Sequence, residues 1–189
     1  MNTKINISKF DYCVVLNSTA YFVIAYYLVV FSFNIFSMLI TSLLGFDVEL
    51  FYNGFTHSGE QWTTGKVILV FFVGNAYTLL TALIFELLYR RQRKYIRGIK
   101  LLYLWIYLIS IVWFFGNIIV GAFFNFGIGA ALRAYHVPFF LRLILAVIAI
   151  ALLVFFGIRT QKHIRVSANL YYQKLSRNIT QGFFIKNIA

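Results

Sequence analysis

VILVFFVGNAYTLLTALIFELLY, residues 67–89, is the stretch from which the fold is read. A bilayer core about 30 Å thick takes about 20 apolar residues as helix. Here hydrocarbon side chains fill such a length, with a single carboxylate, Glu86, near its end. Three further runs share this character, at about 19–44, 101–124 and 138–158. The sequence therefore predicts an all-α integral membrane protein, a bundle of four transmembrane helices. Of the 189 residues, 61% are hydrophobic and 12% charged. Soluble domains carry about 25% charged residues, so lipid must cover what polar side chains cannot. The third run continues into NFGIGAALRAY (125–135), where Gly127 and Gly129 predict that the span ends near Asn125 and a short outer segment follows. Pro138, the one proline, opens the fourth span, where its missing N–H costs nothing.

Charge sets the expected orientation. The net charge of +12 is concentrated in two places. Arg90, Arg91, Arg93, Lys94, Arg97 and Lys100 fill one short connection, and Arg159, Lys162, Arg165, Lys174, Arg177 and Lys186 lie in a tail over 159–189. Basic loops stay on the cytoplasmic side, so both termini are expected inside and the 45–66 and 125–137 connections outside. The tail segment HIRVSANLYYQKLSRNIT (163–180) repeats Ile164, Ala168, Tyr171, Leu175 and Ile179 at helical spacing with basic residues beside them. It reads as a basic amphipathic helix on the inner surface or against a cytosolic partner. The expected partner of these cations is anionic lipid headgroups and not nucleic acid, because apolar spans separate them. Abundant Phe, Ile, Asn and Tyr with one proline fits an AT-rich bacterial genome, hence a bacterial cytoplasmic membrane.

The Gly74-Asn75 pair has a counterpart, Gly116-Asn117, in the third span. In lipid, small residues let backbones approach and polar side chains turn toward neighbouring helices. On a helical wheel Gly74, Asn75, Thr78, Thr81, Ala82 and Glu86 share one arc. Tyr103, Tyr107, Ser110, Asn117, Gly121 and Asn125 align in the third span. Ala20, Tyr27, Asn34 and Thr41 recur every seven residues in the first, and Arg142, Ala146, Ala149 and Gly157 align in the fourth. Each span is thus expected to turn one polar or small side inward and an apolar side to lipid. Asn34, Asn75 and Asn117 come out at similar depth, roughly 10–16 Å from the outer helix ends. With Thr78 and Ser110 they form a candidate polar cluster, first as interhelical hydrogen bonds and alternatively as a vestibule for a small solute or ion.

Glu86 is a candidate proton or ion site, because intramembrane carboxylates are functional suspects by default. Arg90, four residues on, offers an ion pair as the plainer reading. Arg142 lies within snorkelling distance of the outer headgroups. With Arg133 and His136 it forms a basic patch expected to attract the acidic 47–60 loop. His57, Glu60 and His136 match no metal-ligand spacing, and no metal or other cofactor is expected. Cys13 is alone, which excludes an intramolecular disulfide or a paired-thiol redox site. The chain has no HExxH, G-x-S-x-G or P-loop motif and no pair of intramembrane aspartates. The sequence therefore favours a non-enzymatic membrane protein, a small subunit, scaffold or accessory factor of a larger assembly or a homo-oligomer. The alternative is a small-solute or ion transporter component built on the asparagine cluster.

Overall fold

The computed structural model describes residues 9–51, 54–58, 63–91, 97–124 and 127–171. The order of elements is α1 (Lys9–Leu43), β1 (Asp47–Phe51), β2 (Gly54–Ser58), α2 (Thr64–Arg91), α3 (Arg97–Phe123), α4 (Ile128–Ala134) and α5 (Phe139–Tyr171). Four helices are long and apolar enough to cross a membrane, over Val15–Leu43, Thr64–Arg91, Ile99–Phe123 and Phe139–Ile164. Four helices of this length and composition fit an integral membrane helical bundle. One end carries Arg90, Arg91, Lys100 and Arg159, and the other carries the β1–β2 hairpin; these are the basic end and the hairpin end below.

The helix boundaries follow from local chemistry. At the close of α1, Gly45 takes φ 89°, a conformation that costs glycine nothing. The Phe46 amide donates to the Thr41 carbonyl (3.4 Å) and the Gly45 amide to that of Ser42 (3.0 Å). This is a Schellman ending, which satisfies carbonyls that the helix leaves open. It buries Phe46 and turns the chain into β1, which pairs antiparallel with β2 from Asp47↔Ser58 to Phe51↔Gly54. The hairpin replaces the plain acidic loop expected over 47–60. Five-residue strands flanking Tyr52-Asn53 and closing on Gly54 were the overlooked signal. At the start of α2 the Thr63 hydroxyl accepts from the Lys66 amide (3.4 Å), an N-cap that places the helix start before the apolar run itself.

Packing corrects the expectation of four equivalent faces. α3 lies at the centre, packed by α1, α2, α4 and α5, and 39% of its apolar stretch is buried against 17% for α5. Leu101, Leu104, Ile106, Ile109, Ile111 and Phe115, expected in part on a lipid-facing side, are instead buried around α3. The stripe drawn on α1 also fails in its first half. Asn34 and Thr41 are buried, but Tyr27 is 64% exposed, and Ser18, Ala25 and Val29 take its place. α1 changes neighbour along its length: Ala25 and Val29 pack with Ile106 and Ile109 of α3, whereas Ser37 and Phe33 lie against Gly74 of α2. A straight helix also drifts about 20° per seven residues, so one heptad stripe cannot serve both contacts. On α5, Arg142, Ala146 and Ala149 are buried as drawn, but Gly157 is exposed and Thr160 continues the contact. Residues 159–171 continue α5 without a break, and 172–189 lie outside the described residues.

Candidate functional site

The inward polar arc of α2 is realised: Gly74, Asn75, Thr78 and Ala82 are all buried. Gly74 marks a close approach, because a Cβ there would stand 2.6 Å from the Ser37 hydroxyl of α1 and 3.2 Å from the Phe33 ring, and those side chains would have to shift. That approach brings Asn75 level with α3, where the Asn117 Nδ2 donates to the Asn75 Oδ1 at 3.1 Å. Asn75 in turn donates from Nδ2 to the Phe71 carbonyl (2.8 Å). The Thr78 hydroxyl donates to the Asn75 carbonyl (2.7 Å), and that of Thr81 to Tyr77 (2.9 Å). In hydrocarbon an unpaired amide or hydroxyl is expensive, and back-bonding to the helix is the cheapest remedy.

Of the candidate cluster, Asn75, Asn117 and Thr78 come together. Asn34 and Ser110 are buried too, but the Asn34 Nδ2, the Ser37 hydroxyl and the Ser110 hydroxyl have no hydrogen-bond partner. The three amides therefore do not form one triad; two pair and the third stays separate. The short helix α4 closes the hairpin end over them. Ile128, Gly129 and Ala131 are buried against α2 and α3, and Gly127, at φ 54°, places its Cβ position 3.9 Å from the Asn117 Oδ1. Asn125 lies outside the described residues.

The second polar site is at the basic end. The Glu86 Oε1 accepts from Arg90 one turn along α2, has the Arg159 Nη2 of α5 at 3.5 Å, and the His163 Nε2 at 3.9 Å. Its side chain is 13% exposed. The pairing with Arg90 is the one the i, i+4 spacing gave; Arg159 and His163 could not be anticipated, because they arrive from another helix. Tyr89 adds a second tie from α2 to α5, donating from its hydroxyl to the His163 carbonyl (2.7 Å), with Lys100 Nζ 5.0 Å from its ring centroid. Arg91 and Lys162 are exposed at the same end. Arg93, Lys94, Lys174 and Arg177 lie outside the described residues, as do the side chains of Arg97 and Arg165.

The outer patch differs from expectation. Arg142, expected to reach outward, is 9% exposed, with its guanidinium carbon 5.5 Å from the Phe139 ring centroid. Each ion pair formed between two described residues involves Glu86, and none of these joins the 133–142 region to the hairpin. Of the metal set weighed above, His136 is exposed, while Glu60 and the His57 side chain lie outside the described residues. No protein-family model matches the chain, and no curated protein or solved structure matches it significantly.

Proposed function

We propose that this chain is a non-enzymatic subunit or accessory factor of a larger membrane assembly, and that it meets its partner, another membrane helix or a second copy, along the free side of α5. The observation that carries the reading is the one-sided packing of α5. It rests on α3 and turns Val147, Val154 and Ile158, each 57–64% exposed, away from the bundle. Beside them Gly157 is exposed, with open space where a Cβ would stand, and such a site admits the backbone of another helix. The polar groups of the core support the same reading, since Asn75, Asn117 and Thr78 bond to each other or to their own helices. A photo-crosslinking residue at Val147 or Val154 is expected to give a discrete higher-mass adduct in native membranes. Monomer alone from both positions would sink the reading.

The basic end is assigned to the cytoplasm of a bacterial cell, with both termini inside. The support is the crowding of Arg90, Arg91, Lys100, Arg159 and Lys162 there. A groove beside Ile84, Leu87, Leu88, Arg90 and Arg91 offers anionic lipid both an apolar wall and cationic heads. In intact cells a membrane-impermeant thiol reagent is expected to label Ser58→Cys and not Ser176→Cys; the reverse pattern overturns the orientation.

A second reading, a small-solute or ion transporter component, is favoured by one observation. The Asn34 Nδ2 and Ser37 hydroxyl are buried donors without partners, one helix away from the Asn75–Asn117 pair.

A further inference from the structure

We propose that Arg142 binds the phosphate of a phospholipid headgroup at the hairpin end of the bundle, a site independent of the assembly role. Arg142 is 9% exposed, and its Nε and Nη1 are buried without a hydrogen bond. It is in no ion pair among the described residues. It also sits in the first turn of a 33-residue helix, where the helix dipole adds positive potential and gives no compensation. Among the described residues the charges at this end are of the wrong sign or make no ion pair with it. Arg133 and His136, in the α4–α5 region, are exposed cations or potential cations. Asp47 and Glu49 lie on β1, which packs chiefly on α1. With no carboxylate among the described residues paired to it, a buried guanidinium is the costly arrangement for an ion in a membrane, and a lipid phosphate is the counter-charge that relieves it.

Depth and surroundings identify the source. Arg142 lies three residues past the start of α5, about 5 Å along its axis, which is where lipid phosphates meet helix ends. Tyr135, Phe139 and Phe140, 63%, 55% and 68% exposed, form an aromatic collar suited to that interface. Phosphate is present around the whole protein at this depth, and guanidinium is the side chain whose fork matches it. Because Nε and Nη1 are covered, the guanidinium shifts toward the helix end on binding, leaving its Phe139 stack as the pivot.

The test uses the full chain, delipidated in mild detergent and titrated with dioleoylphosphatidylglycerol, dioleoylglycerol or sodium phosphate. Thermal unfolding and native mass spectrometry are the readouts. Wild type is expected to retain phosphatidylglycerol and to unfold at higher temperature with it, but not with dioleoylglycerol. Arg142→Gln should need on the order of tenfold more phospholipid for the same shift, and Arg133→Gln should behave as wild type. If Arg142→Gln does not fold, Arg142→Lys carries the comparison, keeping the charge while weakening the fork. Protection of wild type but not of the variant by sodium phosphate alone supports the oxyanion site and assigns it to free phosphate. Equal responses of wild type and Arg142→Gln, or equal protection by dioleoylglycerol, overturn the proposal. Loss of a co-purifying polypeptide from Arg142→Gln with lipid retention unchanged also overturns it, in favour of a partner's carboxylate.

Discussion

Gly129→Ala is expected to drive α4 off the bundle and to cost about 3 kcal/mol of stability. A Cβ at this position would meet the carbonyl oxygens of Phe124 and Gly121 and come within 2.8 Å of the Gly121 Cα. The opposing position is equally tight, since a Cβ on Gly121 would stand 2.6 Å from the Gly129 amide nitrogen. These are backbone atoms in two short, crossing segments, so no side chain can rotate aside and the strain must be met by moving a helix. The displaced helix would uncover the Asn75–Asn117 pair beneath it. Melting in detergent and hydrogen–deuterium exchange over 128–134 report the two consequences together. Gly116→Ala is the control, because nothing lies within 4 Å of its Cβ position and a mid-helix Gly→Ala change is favourable by up to ~1 kcal/mol. If Gly129→Ala melts no lower than Gly116→Ala, α4 is not docked as described.

The glycines at this crossing show where sequence reasoning reaches and where it stops. Gly127 and Gly129 were readable as the end of the third span, because glycine punctuates helices wherever they are packed. That the short segment beyond would fold back between α2 and α3 was not readable. The close Gly121–Gly129 approach is a contact between two stretches that hydropathy treats separately. The Asn75–Asn117 bond was readable because in lipid a buried amide must find a neighbour and both lie on small-residue faces. Glu86 was half readable: the tie to Arg90 is set by spacing along one helix, the ties to Arg159 and His163 by the placement of α5. The centrality of α3 was hidden by the bilayer. In water a helix buried all round is conspicuous by its apolar circumference, but a helix facing lipid carries a broad apolar surface whether protein or lipid covers it. For the same reason the burial of Arg142 is invisible in the sequence, since nothing in its neighbours along the chain says that the packing of α5 closes over it.

Asn75→Leu is expected to destabilise the bundle by about 1–3 kcal/mol. It removes the Asn75 Oδ1 and strands the Asn117 Nδ2 at an interface where Asn75 is 2% exposed. Asn117→Leu should cost a similar amount by stranding the other half. The informative variant is the double one. If the pair serves packing alone, replacing both amides with leucine leaves no unpaired group, and stability should return to within about 1 kcal/mol of wild type. Membrane-embedded hydrogen bonds average only about 0.6 kcal/mol net, so the pair itself contributes little beyond mutual satisfaction. Assembly, read as the crosslinked adduct from Val154, should then survive in the double variant. The transport reading makes a different demand, since a solute passing Asn34, Ser37 and the amide pair needs their polarity as well as their fit. In reconstituted vesicles it requires that wild type carry a solute flux which the refolded double variant loses. Recovery of stability with no flux to lose leaves the amides as a packing device, whereas a stable double variant that abolishes a measured flux would make the cluster a conduction site and displace the assembly reading.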